Sequence, residues 1–368
     1  MAVTEVAVAG GNIAVWWVWR ARLGDMSSTG RPLGRASRAT LSEVAGLAGV
    51  SISTVSKVLN GRSGVSRETR ARVESMLQHR QYNRRKSVQG IAPIIEVLIY
   101  EVDSPFAGET LATIERGLRE QGVGMVVSGV DEDHLPGAAW VDGVLARHPL
   151  GVILVASELR PRDKQRLRAR NIPIVVIDPS GTSTADAPSI GSADWRGGIL
   201  ATRHLIDLGH EKIAIITGPD GMLASTARLS GYRAALEDAH IAVWPEFVRP
   251  GMFHHQDGVR EGRALLRLSP RPTAIFASSD LQALGVYEAA RSLDVSIPEQ
   301  LSVVGYDDLA IARWAGPPMT TIRVPITEMA EHATHLITRL RGEPELALSP
   351  IEMATSLVVR ESTAPPPE

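Results

Sequence analysis

Seven side chains of this sequence would, if brought together, make a receptor for hydroxyl groups: Asp103, Phe106, Asp178, Trp195, Arg228, Asp280 and Asp307. Carboxylates and a guanidinium grip hydroxyls in pairs, and a Phe or Trp ring packs on the apolar face of a sugar. A strongly anionic ligand would ask for more cations than a lone arginine. An acid directly after a strand can also cap the helix that follows, so each of these acids has two uses. Phe253-His254-His255 is a further candidate for the edge of such a site. Two adjacent histidines raise the question of a metal, but no third ligand stands at a diagnostic spacing. No metal and no cofactor is therefore assigned.

The common feature of the seven is position. Short apolar runs at Ile94–Tyr100, Gly124–Val127, Gly151–Val155 and Ile174–Ile177 alternate with amphipathic stretches at Glu109–Gln121, Ala138–Arg147 and Arg162–Arg170. Such runs read as buried strands, and the stretches between them as helices. A second set of strands is expected at Lys212–Thr217, Ala274–Ala277 and Leu301–Val304. Its helices are expected near Trp195–Leu208, Ser225–Ala239, Gly258–Leu268 and Leu281–Leu293. Strand, helix, strand at this spacing builds a parallel sheet with helices on both faces. Two such lobes leave a crevice, and ligands of open parallel sheets bind beyond the carboxyl ends of the strands. The candidate residues follow the strands or open the second lobe.

A different chemistry stands nearer the start. Leu41, Val44, Ala45 and Ala48 recur at helical spacing, Gly49 can end that helix, and Ser51 can cap the next. In the second helix Val55, Val58 and Leu59 fall on one side; Ser53, Thr54, Ser56 and Lys57 fall on the other. Hydroxyls and a cation displayed outward suit a DNA major groove. A third helix is expected from the Ser66 cap, with Thr69, Val73, Met76 and Leu77 as its apolar stripe. From Arg35 to Gly90 there are 11 Lys and Arg against 3 acids, about +8 in a chain whose net charge is −2. One cationic end on an anionic bulk can bind DNA with that end alone. Arg84, Arg85 and Lys86 extend the basic surface.

Thr40 through Asn60, continued by Val65, Ser66, Thr69 and Val73, closely resembles the DNA-binding head of the LacI/GalR (lactose-repressor) family. LGHEKIAIITGP from Leu208, ARLSGYRAAL from Ala227, SSDLQALGVYEAA and LSVVGYDD resemble that family's core. The resemblance implies an α/β chain: an N-terminal three-helix helix-turn-helix head, then a periplasmic-binding-protein-like core of two Rossmann-like parallel-sheet lobes. It implies that Ile52, Ser53 and Lys57 choose operator bases, and that Thr54, Ser56 and Asn60 hold the phosphate backbone. With Thr40, Ser51, Arg84 and Arg85 these make the candidate DNA contacts. Arg228, Asp280 and Asp307 become the leading effector contacts, followed by Asp103 and Phe106, then Trp195 and Asp178. It further implies three crossings between lobes, near Ile190, Pro317 and Gly342, with Ile326–Arg341 returning to the first lobe and Ile351–Val359 closing the second. Two features depart from the pattern. The hinge lacks the usual leucine wedge, with Val88 and Ile91 as stand-ins, and Ala107 follows Phe106 where many relatives pair two aromatics.

The expected division is residues 1–38 as a disordered extension, 39–82 as the head, 83–92 as a hinge linker, 93–362 as the core and 363–368 as a loose tail. Within the core, lobe 1 takes about 93–190 and 319–342, and lobe 2 takes 191–318 and 343–362. Trp16, Trp17 and Trp19 lie in an apolar run too short to span a bilayer, with Arg20 and Arg22 after it rather than before. Met26 is an alternative start. The chain has no cysteine, which excludes disulfides and thiolate chemistry and suits a reducing cytoplasm. No dinucleotide fingerprint, phosphate loop, zinc helix or nucleophile elbow is present, so no enzyme is expected. The expected function is a sequence-specific transcription regulator, a repressor, working as a homodimer on a near-palindromic double-stranded operator. Its operator affinity would answer to a small sugar-like effector, with no membrane partner. An exported sugar-binding protein of the same two-lobed design would have no use for residues 40–80.

Overall fold

The computed structural model describes residues 41–59, 64–66, 68–73, 92–130, 134–180, 187–342 and 349–367. The 1–38 extension, Thr40, Asn60 and the linker residues Arg84, Arg85, Val88 and Ile91 lie outside them. The chain divides into two units between Lys86 and Ser87.

In the first unit, α1 (Leu41–Ala48) and α2 (Ile52–Leu59) are joined by three residues, and α3 is helical over residues 68–73. Gly49, at φ 65°, takes the left-handed turn that a side chain would resist. Its N–H reaches Gly46 O (3.3 Å) while Val50 N–H reaches Ala45 O (3.0 Å), which satisfies the last carbonyls of α1. Ser51 Oγ then accepts from Thr54 N–H (3.2 Å) and caps α2; Ser66 Oγ does the same for Thr69 N–H (3.2 Å). Ala45, Ala48, Val55, Val58 and Val73 are the small core these caps bring together.

The second unit carries two six-stranded sheets. The first runs β11-β5-β4-β3-β1-β2 and the second β12-β10-β9-β8-β6-β7. In the first, β1 is Ile94–Tyr100, β2 Gly124–Val130, β3 Gly151–Val155, β4 Ile174–Ile177, β5 Ser189–Ser192 and β11 Ile351–Met353. In the second, β6 is Ile213–Ile216, β7 Val248–Arg249, β8 Ala274–Ala277, β9 Ser302–Asp307, β10 Thr320–Arg323 and β12 Ser356–Val358. Every pairing is parallel except β10 with β12. Apart from the added edge strands, each sheet has the doubly wound order 2-1-3-4-5, in which the strand order reverses between the first and third strands. The helices are α4 (Pro105–Glu120), α5 (Ala138–Arg147), α6 (Pro161–Arg168), α7 (Asp194–Asp207), α8 (Leu223–Asp238), α9 (His255–Leu266), α10 (Asp280–Ser292), α11 (Ala310–Trp314) and α12 (Ile326–Leu340). The central strands β1, β3 and β4 are buried almost throughout, as their unbroken Val/Ile/Leu runs require when helices cover both faces.

The structure shifts several expected boundaries. Thr320–Arg323 pairs with β9, so the return to the first lobe comes after Arg323, and Pro317 turns the chain within the second lobe. Ile351–Val359 is split: Ile351–Met353 pairs with β5 in the first sheet, and Ser356–Val358 pairs with β10 in the second. Gly342 therefore lies within the first lobe's path, and the third crossing falls between Met353 and Ser356. Proline marks a break in regular hydrogen bonding, and that need not be a lobe boundary. The tail is pinned where it was expected loose. Ala364 N–H donates to Ser302 Oγ (3.0 Å), and Ala364 O lies 2.9 Å from His210 Nε2.

Candidate functional site

The head presents its chemistry through α2. Ile52, Ser53 and Lys57 are exposed and Thr54 is half-buried, while Val55 and Val58 face the core. Ile52, at 52% exposure, stays out of the apolar core. Ser51 Oγ is occupied as a cap and lies 2.8 Å from both Ser53 Oγ and Thr54 Oγ1, so these hydroxyls form one cluster at the start of the helix. Ser56 lies on α2 between them and Lys57, and its side chain is outside the description.

The second site lies between the lobes, past the strand ends. A cavity of about 90 Å³ is lined by Phe106 and Asp178 from the first lobe, and by Arg228, Phe253, Ser279 and Asp307 from the second. Arg228 is its centre. Its Nε donates to Asp194 Oδ1 (2.8 Å), its Nη1 donates to Ser278 O (2.7 Å), and Asp307 Oδ1 stands 4.0 Å from the same Nη1. Its guanidinium carbon lies 3.7 Å from the Tyr306 ring centroid and 5.3 Å from that of Phe253. Nη2 has no hydrogen-bond partner among the described residues, which leaves a donor for a ligand. Helix packing makes this reach possible. A Cβ on Gly198 would stand 2.3 Å from Arg228 O, and one on Gly231 2.1 Å from Trp195 O, so α7 and α8 approach at a distance only glycine permits.

The carboxylates around this guanidinium are not ordinary. Burial pushes Asp178 up to about 7, with the Asp194 charge adding to the shift and Arg228 opposing it. Asp307 is also raised, again chiefly by burial and against the pull of Arg228. Burial would lower Arg228, but Asp194 and the other neighbouring groups more than offset it, so the guanidinium stays charged. A carboxyl that holds its proton near neutrality can both donate to and accept from a hydroxyl.

Of the seven expected residues, the cavity brings together Phe106, Asp178, Arg228 and Asp307. Three stand elsewhere. Asp103 is exposed on the turn after β1. Trp195 is 52% exposed and borders a separate hollow on the far side of Asp178. Asp280 is sealed beneath the site: its Oδ2 accepts from Leu309 N–H (2.8 Å) and its Oδ1 from Thr321 Oγ1 (2.6 Å). Phe253, singled out only as an edge, supplies the second ring. Glu101 was missed. It directly follows β1 and lines the cavity, and its Oε1 lies 2.6 Å from His254 Nε2 across the cleft. Its signal was the same as that of Asp103, an acid just past an apolar run, two positions earlier. Among the described residues no group of three or more acids and histidines could hold a metal ion.

Residues 40–84 match the model for bacterial regulatory proteins of the lacI family, and residues 202–363 match that for a periplasmic binding protein-like domain. The ribose operon repressor of Escherichia coli (strain K12) is 31% identical over 329 residues, covering 88% of this chain and 99% of its own. The chain belongs to the LacI family. It is a DNA-binding transcriptional regulator, and the head and the two-lobed core are the family's two working parts. Among solved structures, a complex of the transcriptional regulator CelR with cellobiose is 31% identical with a TM-score of 0.67, covering 88% of this chain and 100% of that one. The lac repressor dimer bound to operator and the anti-inducer ONPF is 27% identical with a TM-score of 0.67, covering 89% and 100%. Among the described residues, no helix is long and apolar enough to cross a membrane.

Proposed function

We propose that this regulator is a cytoplasmic repressor without enzymatic activity, and that a neutral sugar-like effector held between its lobes controls its grip on an operator. The observation that carries this reading is the Arg228 cavity: a guanidinium whose Nη2 is not taken by Asp194 or Ser278, two carboxyls that hold protons unusually well, and the rings of Phe106 and Phe253. Paired polar groups with flanking rings fit hydroxyls on an apolar ring face. A relative named for ribose and a similar structure in complex with cellobiose support a sugar as the ligand class.

Two copies pair and set two α2 helices on a near-palindromic operator; the similar lac repressor is a dimer bound to its operator. Ile52, Ser53 and Lys57 read bases, while Ser51, Thr54, Ser56 and the flanking Thr40, Asn60, Arg84 and Arg85 hold the backbone. The effector binds one arrangement of the lobes better than another and so shifts the pair of heads. A coupling of about 1–3 kcal/mol changes operator affinity some 5- to 150-fold.

The test is a mobility-shift titration on a duplex selected from random sequence, with and without a saccharide found by thermal shift. The saccharide should move the midpoint by at least five-fold. Lys57→Ala should weaken operator binding by about ten-fold, on the order of 1–2 kcal/mol for one base or phosphate contact, and leave the saccharide's Kd unchanged. A protein that turned the saccharide over, or bound scrambled duplex equally well, would overturn the reading.

A further inference from the structure

The inner cavity is not the end of the cleft. Past it lies an open trough of about 660 Å³, several times larger, also walled by both lobes. The two adjoin along four stretches of chain. Met222 lines both; Ala156 in the cavity leads to Glu158 in the trough, Asp178 leads to Ser180, and Phe253 is preceded by Met252. A ligand that fills only the cavity leaves the trough to water.

The trough has the lining of a binding subsite. Ser180 is 6% exposed, and its Oγ is buried without a hydrogen-bond partner. A buried hydroxyl left unpaired is costly, and a ligand or water hydroxyl would satisfy it. Met252, 37% exposed, stands with Leu135, Pro219 and Pro250 as an apolar surface on which a ring can lie. The charge is wrong for an anion. Glu158 and Asp220 contribute carboxylates, and the cation Arg260 is already held by Asp257 (Nη2–Oδ1 2.8 Å) and Glu261 (Nε–Oε1 2.7 Å). A phosphate or carboxylate here would meet like charge.

We propose that the trough is a second sugar subsite, and that the effector is a neutral oligosaccharide with one ring in the Arg228 cavity and the next between Ser180, Asp220 and Met252. This rests on the reading of the cavity as a sugar site. It adds that a monosaccharide is a partial ligand, because it leaves Ser180 unsatisfied and the Met252 surface wet. Sugar phosphates are rejected.

Calorimetry on the full chain tests it, with glucose, cellobiose and cellotriose, glucose, maltose and maltotriose, and galactose and lactose as ligand series. In one series the disaccharide should bind at least ten-fold more tightly than its monosaccharide, and the 6-phosphate of that monosaccharide should not bind. Ser180→Ala and Asp220→Asn should each reduce the disaccharide-to-monosaccharide ratio by three-fold or more, and together bring it close to one. A ratio near one in the unaltered protein, with the monosaccharide bound, overturns the second subsite and leaves the cavity reading standing. So does a large ratio that both variants preserve. Failure of every saccharide to bind overturns both.

Discussion

The two lobes share a strand order, yet they bring different things to the cleft. The second lobe brings a cluster already locked in place. Arg228 is locked by Asp194, by Ser278 O and by the Tyr306 ring, and Tyr306 OH itself donates to Asp194 Oδ1 (3.0 Å). The first lobe brings separate pieces. Phe106 sits in the first turn of α4, Glu101 and Asp178 sit at left-handed positions just past β1 and β4, and Glu101 is held from across the cleft by His254. A preorganised half binds at little entropic cost, while the looser half adds its contacts as the cleft closes. The asymmetry suits a switch. If the effector binds as proposed, the second lobe would recognise it and the first would move onto it.

The widest test of this asymmetry compares a residue from each half. Arg228→Lys keeps the charge but loses the planar fork that serves Asp194, Ser278 and the ligand together. It should weaken effector binding by at least 100-fold and leave operator DNA bound without response. Phe106→Ala removes a ring from the first lobe and should cost only about 1–2 kcal/mol, on the order of 5- to 30-fold. Calorimetry on both variants gives the ranking. The reverse order would place the recognition surface in the first lobe.

The next effect falls on the helices behind Arg228. Gly231→Ala puts a methyl group 2.1 Å from Trp195 O, so α7 and α8 must part. Overpacking of this kind costs about 1–3 kcal/mol, read as a lower midpoint in urea unfolding. Arg228 should lose its place against Asp194 as well, so effector affinity should fall with stability. An equivalent change in a first-lobe helix contact should lower stability alone.

Much of this was legible in the sequence, for reasons that also explain the errors. The strands β1, β3, β4 and β8 begin and end where their apolar runs do, because strands buried on both faces cannot alternate. β5, β7, β10 and β11 lie away from the sheet centres, are two to four residues long, and have no such run to read. Four of the seven residues singled out by the rule that function follows strand ends line one cavity. The rule could not tell Asp307 from Asp280. Both follow strands, but Asp280 turns inward to Leu309 N–H and Thr321 Oγ1, contacts to residues far along the chain. Nor could it tell Glu101 from Asp103, where the left-handed Glu101 decides which acid faces the cleft. In the head the caps and the turn were local, so Gly49, Ser51 and Ser66 could be read directly.

Asp280 carries a smaller effect, confined to pH. Burial raises it from 3.8 to about 7, with its two hydrogen bonds opposing the shift. A carboxyl raised on folding binds more protons folded than unfolded. Stability therefore falls as pH rises from about 4 to about 7, and is flat below the unfolded value. Asp178, raised to about 7 as well, adds to the same slope. Asp280→Asn keeps an acceptor for Leu309 N–H and should remove part of the slope, read as thermal midpoints between pH 4 and pH 8. An unchanged slope would mean that Asp280 is ionised throughout this range and held by its two donors.

The smallest effect belongs to Trp195, and it separates position in the chain from position in the cleft. Trp195 opens the second lobe beside Asp194, and from the chain alone it is as good a stacking ring as Phe253. In the fold its neighbour Asp194 turns in to Arg228, while Trp195 stays 52% exposed beside Pro350 and Ile351. Phe253 takes the place against Arg228 instead. Trp195→Ala should therefore leave the effector Kd within two-fold, while Phe253→Ala raises it by ten-fold or more. Loss of stacking explains the second change, and solvent already covers the face that the first would expose. A ten-fold loss from Trp195→Ala would mean that the ligand reaches past Asp178 into the neighbouring hollow, and that the second lobe's recognition surface extends beyond the Arg228 cluster.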